Sequence, residues 1–571
     1  MLVGDQRLLR RGAGYLPMLG LFALLGVLIV LPLGLLLYAS FTDTPPRPGA
    51  LGGDLTLQNY RALFSPNNLA AVRNSMIIGV GGTALALGLG AALAWLAART
   101  DVPGKWLVQL AGIVPLFVSS LVGALAWSLI ASPNAGYLNV ALREIGSTFV
   151  IDIYSLPGMI FVFGLYYAPY AFLFLYSALE LMNPELEEAA QVHGAGVIRT
   201  LRKVTFPLVA PAWFGAAVLT FILIVENFPV PQVLGSPAGV ETIPSFIFRL
   251  MASAPSRPNE ASAIGMILTL MLIGALFVQS RVLGRRQFVT VSGKGFRPRV
   301  IKLERWRWPA FGFAAIYLFL AVVVPFFALI QSALRRHQYL ADLPALFDTS
   351  AFSFDNFINI WGYAPFTTGL RNSIILGFGT AIIGGGLHLL LSYYVYRTKA
   401  PARKVIEGLA MAPAAVPALV IGVAFLWTWI TLPVPLYGTL LILLMAYVTR
   451  FMPQGFRGVS STIQQVHKDL EESAYVCGAS RLRAAVKITF PLIRTGLVST
   501  MLLLFILSMR ELSAAIFLYT QDTRVLAITI YDQWDSGFWP RAAAISIVYS
   551  LVLLALTLIG RRWFGINAAH D

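Results

Sequence analysis

The sequence predicts an all-α polytopic membrane protein with about twelve transmembrane helices, arranged as two parallel repeats of six. Composition is the first reason, because 57% of the 571 residues are hydrophobic, only 12% are charged, and the mean hydropathy is +0.74. Soluble globular domains carry about twice that share of charged residues. The other two reasons are the number of long apolar stretches and the recurrence of polar motifs in both halves of the chain.

A helix needs about 20 mostly apolar residues to cross the hydrocarbon core of a bilayer. Twelve stretches meet this condition, separated by Pro, Gly and charged residues. They lie near residues 15–40, 71–97, 106–131, 156–181, 211–234, 260–280, 309–331, 370–396, 405–430, 434–456, 493–518 and 541–560. The first stretch is too long for a signal-peptide core and has no small-residue cleavage pattern, so we expect a retained span.

Lys and Arg residues are distributed unevenly between alternate loops. If the N-terminus is cytoplasmic, the loops and tails on that side hold 30 of the 42 Lys and Arg residues, whereas the outward loops hold 8. Cytoplasmic loops of membrane proteins carry such an excess. The sequence therefore predicts that both termini lie in the cytoplasm.

The net charge of +16 is concentrated in one loop, where residues 281–307 include nine basic residues and a single acidic one. We therefore divide the chain into a first half (1–280), a basic cytoplasmic linker (281–308) and a second half (309–571). Such a loop indicates contact with anionic membrane lipid rather than with nucleic acid.

Trp306 and Trp308 are expected to be interfacial anchors. The one cysteine, Cys477, allows no internal disulfide.

Polar motifs recur in the two halves at nearly constant offsets. The matching segments are Arg73-Asn74-Ser75 with Arg371-Asn372-Ser373 and Arg99-Thr100 with Arg397-Thr398, at offset 298, and residues 186–208 with 470–492, at offset 284. A longer outer loop in the first half, around residues 134–155, explains the change of offset. Each half has an even number of predicted spans, so the repeats have the same orientation in the membrane.

The longest repeated segment lies in the cytoplasmic loop between the fourth and fifth spans of each half, at residues 184–208 and 467–492. Asn183 and Pro184 are suited to start a short helix there, and Gly194 to end it. A second short helix is predicted from about residue 197 to 206, ended by Pro207. We call these two helix-Gly-helix segments the first and second elbows.

Both elbows resemble the EAA loop of binding-protein-dependent ABC importer permeases, whose consensus is E-A-A, three residues, then G-A, with Phe and Pro further on. The residues that carry the resemblance are Glu187, Glu188, Ala189, Ala190, Gly194 and Ala195 in the first elbow, and Glu471, Glu472, Ser473, Ala474, Gly478 and Ala479 in the second. The second elbow departs from the consensus at Ser473. An interfacial amphipathic helix with capping residues is the alternative interpretation.

This resemblance implies a type I ABC importer permease fold in which each elbow docks on one of two copies of an ABC ATPase subunit. Glu187 and Glu471 would then face basic or amide groups of those subunits. The chain itself lacks the phosphate-binding pattern G-x-x-x-x-G-K-S/T. We therefore expect no enzyme activity and no cofactor in this chain, with ATP and Mg²⁺ held by the partner subunits.

Two pairs of polar residues lie inside predicted spans. Glu226-Asn227 lies in the fifth span, and Arg510-Glu511 occupies the matching position in the eleventh. Because charged residues within a bilayer usually face a protein interior or a water-filled cavity, we expect a translocation pathway or gate there. The alternative is a structural ion pair, for instance between Glu226 and Arg510. His388 is expected to be a hydrogen-bonded packing residue, and no metal site is predicted.

Fusion of two six-span halves resembles the ferric-iron type of permease, with thiamine permeases second, and residues 510–515 resemble the second half of the iron type. The resemblance implies a bacterial inner-membrane location and a periplasmic or lipid-anchored solute-binding protein as partner. Fe(III) prefers oxygen ligands, which Glu226 and Glu511 possess. Thiamine, polyamines and phosphorylated organic solutes remain alternative cargoes. A secondary transporter of major facilitator type is the alternative class, although loops 99–105 and 397–404 lack its signature.

Overall fold

The computed structural model describes residues 18–182, 185–284, 300–336, 342, 344–398 and 401–563, and most of these are helical. The helices of the first half are α1 (Met18–Ser40), α2 (Asn68–Arg99), α3 (Lys105–Phe117), α4 (Ser120–Ala131), α5 (Tyr137–Glu144), α6 (Leu156–Leu181), α7 (Glu185–Val192), α8 (Leu201–Val225), α9 (Ile243–Ala252) and α10 (Pro258–Arg281). Those of the second half are α11 (Glu304–Ala333), α12 (Ala364–Arg397), α13 (Arg403–Ala415), α14 (Ala418–Thr431), α15 (Leu440–Arg450), α16 (Met452–Gln465), α17 (Asp469–Val476), α18 (Arg481–Met509), α19 (Leu526–Asp535) and α20 (Trp539–Gly560).

Within these described residues, nine helices are long and apolar enough to cross a membrane, and two bent pairs raise that number to eleven. The predicted all-α polytopic fold is confirmed, whereas the count of twelve is not. The predicted span 434–456 is the reason, because α15 ends at Arg450 and the chain turns at Phe451 before α16 begins. Pro453 stands in the first turn of α16, where a missing N–H costs least.

The third predicted span of each half is a bent helix pair. The angle is 99° between α3 and α4 and 111° between α13 and α14. Both breaks follow a 3₁₀ turn that contains a proline, Pro115 in the first half and Pro413 in the second. The repeat therefore includes a break at matching positions, and the freed backbone groups need polar partners inside the membrane.

The helices that correspond to the fifth and eleventh predicted spans, 211–234 and 493–518, are α8 and α18. Both begin and end closer to the N-terminus than predicted. The second helix of each elbow continues directly into these spans, so Pro207 and Pro491 do not end it. A π-helical turn, Leu201–Thr205 or Ala485–Thr489, precedes each proline. The proline then falls in the first turn of the next helical segment, where its missing N–H is tolerated.

The two halves share one buried hydrophobic core. Polar contacts also cross between the halves. The Tyr317 hydroxyl donates to the Leu165 carbonyl at 2.8 Å, and the Trp427 indole N–H donates to the Ser262 hydroxyl at 3.1 Å. The repeats are therefore packed as one body rather than as two separate bundles.

The last part of the linker is attached to the first half. The Ile301 N–H donates to the Arg99 carbonyl at 2.8 Å, and the Asp101 N–H donates back to the Ile301 carbonyl at 3.1 Å. The Leu303 N–H donates to the Asp101 carboxylate at 2.7 Å. Linker residues 285–299 lie outside the described residues, and the division at residues 280 and 308 stays a prediction.

Candidate translocation cavity and coupling elbows

Each elbow turns at a glycine with left-handed backbone, as the spacing predicts. The φ angle is +78° at Gly194 and +82° at Gly478. The Ala195 N–H donates to the Ala190 carbonyl at 3.0 Å, and the Ala479 N–H donates to the Ala474 carbonyl at 2.9 Å, as in a Schellman helix ending. The predicted helix start at Asn183 and Pro184 lies outside the described residues.

The carboxylates of Glu187 and Glu471 face the interior of the protein. Glu187 Oε2 lies 3.7 Å from Arg99 Nη1, and Oε1 accepts a hydrogen bond of 2.5 Å from the Thr205 hydroxyl. Glu471 Oε1 lies 3.8 Å from Arg397 Nε and accepts a hydrogen bond from the Thr489 hydroxyl. The expectation that these two glutamates face a partner is therefore wrong. Each one supplies the counter-charge that a buried arginine requires.

The outer side of the elbows exposes apolar side chains. Val192 and Val476, which are counterparts at offset 284, are 85% and 89% exposed, and Leu186 and Leu470 are about half exposed. The remaining predicted coupling residues are exposed or partly buried on the same helices and turns: Glu188, Ala189, Ala190, Gly194, Ala195, Glu472, Ser473, Ala474, Gly478 and Ala479. Exposed apolar surface of this kind is typical of a protein–protein contact.

A cavity of about 390 Å³ lies between the two halves, next to the C-terminal ends of α8 and α18. Its lining includes all four predicted pathway residues, Glu226, Asn227, Arg510 and Glu511. Further polar groups in the lining come from both halves: Ser119, Ser120, Tyr167, Tyr170, Arg450, Gln454 and Ser513. Glu226 and Arg510 are the residues at which α8 and α18 end, not mid-span residues. The structure thus brings together side chains that are almost 300 residues apart, at a place where two helices end.

Glu226 forms a contact that was not predicted from the sequence. Arg450 Nη2 donates a hydrogen bond to Glu226 Oε1. The other carboxylate oxygen, Oε2, has no hydrogen-bond partner within the described residues, although Glu226 is only 5% exposed. The predicted ion pair between Glu226 and Arg510 is therefore wrong, because Arg450 occupies that position. Glu511 is close enough to interact electrostatically with both Glu226 and Arg450.

Arg510 binds the backbone of the first half instead of a carboxylate. Its Nη1 donates to the Leu116 carbonyl at 2.6 Å, and its Nη2 donates to the Val118 carbonyl at 3.2 Å. These carbonyls lie at the break between α3 and α4. A guanidinium has several donors in a fixed plane, so it can satisfy two carbonyls together. Arg510 therefore fastens the second half to the helix break of the first.

Asn227 and Glu511 occupy the same position in the repeat and cap the same kind of turn. Asn227 Oδ1 accepts a hydrogen bond of 3.0 Å from the Val230 N–H, and Glu511 Oε1 accepts one of 2.8 Å from the Ala514 N–H. The amide nitrogen of Asn227 also donates to the Tyr167 hydroxyl at 2.8 Å. The two turns thus match in geometry and differ by one negative charge.

Three arginines of the site, Arg99, Arg397 and Arg450, were not predicted as site residues from the sequence. Arg450 lies within the predicted span 434–456, and a cation inside a span is a signal for a polar site. Arg99 and Arg397 belong to the Arg-Thr motif that recurs in the two halves, and this motif by itself predicts no site. Their contacts depend on helix ends that are distant in the sequence, so no local pattern predicts them.

His388 is fully buried and packs against α16, where a Cβ on Gly455 would lie 1.9 Å from its Nδ1. Neither ring nitrogen has a hydrogen-bond partner within the described residues, so the expected hydrogen bond is not found. Among all residues that the structure describes, no group of three or more His, Cys, Asp or Glu side chains could hold a metal ion.

Comparison with known proteins gives a consistent result. Residues 84–337 and 388–569 match a family described as binding-protein-dependent transport system inner membrane component. These two segments comprise most of the chain. The first one includes the linker and α11, and residues 338–387 lie between the two.

Two curated relatives are named as iron permeases. The ferric transport system permease protein FbpB of Actinobacillus pleuropneumoniae is 27% identical over 410 residues, which is 71% of this chain and 58% of that protein. The chain therefore matches less than two thirds of that relative's length. The Fe(3+)-transport system permease protein FbpB 2 of Haemophilus influenzae is 24% identical over 532 residues, which is 92% of this chain and 96% of that protein.

One solved structure is that of a bacterial ABC transporter involved in the import of the acidic polysaccharide alginate. It matches 50% of this chain and 99% of its own chain, at 21% identity and a TM-score of 0.41.

Proposed function

Because this chain belongs to the family of binding-protein-dependent transport system inner membrane components, we propose that it is the membrane-spanning permease of an ATP-driven importer. Both halves of the pathway are in one polypeptide, which crosses the bacterial inner membrane several times with both termini in the cytoplasm. The observation that carries this proposal is the combination of two apolar elbows with one charged cavity between the halves.

The elbows are the sites where two copies of an ABC ATPase subunit dock. Val192 and Val476 stand at matching positions and are almost fully exposed, so each can enter an apolar groove of one subunit. ATP and Mg²⁺ are held by those subunits, and this chain hydrolyses no ATP. Because the second helix of each elbow continues into a span, movement of a docked subunit would act directly on α8 or α18.

The cavity between the halves is the part of the pathway where the cargo crosses the contact between them. We assign Fe(III) as the cargo, delivered by a periplasmic or lipid-anchored solute-binding protein. The names of the two relatives support this assignment. So does the supply of hard oxygen donors, which include the open Oε2 of Glu226, the carboxylate of Glu511 and the hydroxyls of Tyr167 and Tyr170.

Arg450 would compete with a cation for Glu226. A cation that binds the Glu226 carboxylate displaces the guanidinium, and the returning guanidinium expels the cation by charge repulsion. Such a site holds its cargo only transiently, which is what a transport pathway requires. Asn227 and Arg510 define the same cavity by holding the turn and the helix break beside it.

Docking is tested with Val192→Asp and Val476→Asp, each of which places a charge in the apolar contact. We expect each variant to retain roughly half of the ATPase subunit on copurification and the double variant to retain almost none, because a buried unpaired charge is costly. Ile145→Asp is the matched control, since Ile145 is 77% exposed and lies in the predicted outer loop 134–155. Full retention of ATPase by the double variant would refute the docking assignment.

The cargo is tested in proteoliposomes that contain the permease, its ATPase and its binding protein. We expect ATP-dependent uptake of radiolabelled Fe(III), and no uptake when the ATPase is omitted or its nucleotide site is disabled. ATP-dependent uptake of thiamine, a polyamine or a phosphorylated organic solute instead of Fe(III) would replace the cargo and keep the permease function. Uptake without the ATPase would refute the importer and favour a secondary transporter.

A further inference from the structure

Arg99 stands at the point where three elements of the first half meet. It ends α2, and its side chain is fully buried. Its Nη2 donates to the Leu179 carbonyl at 2.7 Å and to the Met182 carbonyl at 3.0 Å, which are backbone groups at the end of α6. The last carbonyls of a helix have no partner within the helix and carry a partial negative charge, so a guanidinium is well suited to them.

The other side of the same guanidinium faces the elbow. Glu187 of α7 lies 3.7 Å from Nη1, and the Thr205 hydroxyl, at the start of the fifth span, donates to that carboxylate at 2.5 Å. One group of three side chains therefore joins the ends of α2 and α6 to α7 and to the first turns of α8. We call Arg99, Glu187 and Thr205 the first clamp.

The second half repeats this arrangement. Arg397 Nη2 donates to the Ile463 carbonyl at 2.6 Å and to the Val466 carbonyl at 2.5 Å, at the end of α16. Arg397 also pairs with Glu471, and Glu471 accepts a hydrogen bond from Thr489. Arg397, Glu471 and Thr489 form the second clamp. Every contact of the first clamp has its counterpart here, although the two halves differ at most other positions.

We infer that Arg99 and Arg397 are positioning residues that make each elbow move together with three helices of its own half. This inference rests on the proposed function. The helices α7 and α17 have eight residues each, and an isolated helix of that length is not stable in water. Their outer sides are exposed, so the clamp and the glycine turn hold each one to the body of the permease. Force applied to an elbow by a docked subunit therefore reaches α2 and α6, or α12 and α16, through the clamp, in addition to its direct path into α8 or α18.

The mildest test removes one hydroxyl from each clamp with the isosteric changes Thr205→Val and Thr489→Val. The matched controls are Thr220→Val in α8, whose hydroxyl has no hydrogen-bond partner within the described residues, and Thr495→Val in α18, where the side chain is exposed. Hydrogen exchange of the permease alone in detergent should become faster in residues 185–192 for Thr205→Val and in residues 469–476 for Thr489→Val. The controls should leave both segments unchanged.

The second readout is the amount of cargo taken up per ATP hydrolysed in the assembled importer. We expect the double variant Thr205→Val with Thr489→Val to keep its ATPase on copurification and to lose about fivefold in this ratio, the lower end of typical coupling between sites. Glu187→Gln should lower the ratio further, because the carboxylate charge that faces Arg99 is removed. A purely structural role would lower thermal stability and leave the ratio of the surviving complexes unchanged.

Unchanged hydrogen exchange together with an unchanged ratio in a working importer would overturn the inference. Absence of any ATP-dependent uptake by the unaltered complex would overturn the proposed function instead. Hydrogen exchange is measured without ATPase or cargo, so these two failures are distinguishable.

Discussion

Arg450 of the second half donates a hydrogen bond to Glu226 of the first half, although the two residues occupy different positions in the repeat. At offset 284, the counterpart of Glu226 is Arg510 and that of Arg450 is Tyr166. The contact therefore crosses between the halves and is not duplicated by the repeat. The cavity therefore departs from two-fold symmetry at this contact.

Glu226→Gln removes the charge of this pair and retains a group that accepts a hydrogen bond. We expect uptake to fall at least tenfold with assembly of the importer preserved. Stability should fall as well, because loss of one partner from a buried ion pair costs about 3–5 kcal/mol. Thermal unfolding in detergent and uptake in proteoliposomes measure the two effects separately.

The control for that change is the double variant Glu226→Gln with Arg450→Met, which removes both charges of the pair. It should recover most of the lost thermal stability and none of the uptake, since the carboxylate needed by a cation is still absent. Uptake by Glu226→Gln at the level of the unaltered protein would contradict a role of this residue in the pathway.

Arg510→Lys keeps the positive charge but has no planar pair of donors. One of the two carbonyls at the break between α3 and α4 then loses its partner, and an unsatisfied buried polar group costs about 1–3 kcal/mol. We expect a lower unfolding temperature and reduced uptake. Arg524→Lys is the matched control, because Arg524 pairs with a partly exposed carboxylate, that of Asp532. Equal effects of the two changes would show that the helix break needs no bidentate donor.

Gly194→Val and Gly478→Val test the turns of the elbows. A Cβ at either position would meet no atom of this chain within 4 Å, so the strain that we expect comes from the left-handed backbone. That conformation costs a residue with a Cβ about 1–2 kcal/mol, and more when the side chain is β-branched. We expect weaker copurification of the ATPase and slower uptake.

The neighbouring Gly196 provides the control for these substitutions. It also has open space around it, and its backbone is not left-handed, so Gly196→Ala should leave assembly and uptake unchanged. Asn tolerates the left-handed region, and Gly194→Asn should therefore be milder than Gly194→Val. Normal ATPase binding by both valine variants would contradict a requirement for these turns.

Gly455→Ala should destabilise the protein, because the added Cβ would lie 1.9 Å from His388 Nδ1 inside a buried contact between α12 and α16. Overpacking of a close contact typically costs about 1–3 kcal/mol. Combining it with His388→Ala should restore part of the lost stability, as judged by thermal unfolding. If Gly455→Ala unfolds at the same temperature as the unaltered protein, this contact is looser than the structure indicates.

The helical membrane fold and the repeat were predictable because both depend on local composition and on fixed offsets. The bounds of α6 match the predicted span, residues 156–181, since Ser155 caps its start and polar residues follow its end. The break between α3 and α4 was not predicted, because residues 106–131 contain no charged residue and hydropathy does not detect a bend. The passage of α8 through Pro207 depends on a π-helical turn, for which the sequence has no recognised pattern.

Four residues that line the cavity were predicted from the sequence, whereas Arg450 and the pairing of the charges were not. Glu226, Asn227, Arg510 and Glu511 stand out as polar residues in apolar stretches, and they line one cavity. Which cation faces Glu226 depends on how α8 and α15 lie beside each other, and that relation is absent from local sequence. The same holds for Glu187, whose side chain points inward because Arg99 is buried there.

The two halves contribute different charges to the cavity, and this difference is relevant to their fusion in one polypeptide. A dimer of two first halves would bring two copies of Glu226, Asn227 and Tyr166 together, with a formal charge of −2. A dimer of two second halves would combine two copies of Arg450, Arg510 and Glu511, with a formal charge of +2. Only the unlike pair is neutral, with Glu226 and Glu511 balanced by Arg450 and Arg510. Covalent fusion thus guarantees one copy of each half in every assembly, and the two duplicates were free to diverge without the risk of mismatched pairing.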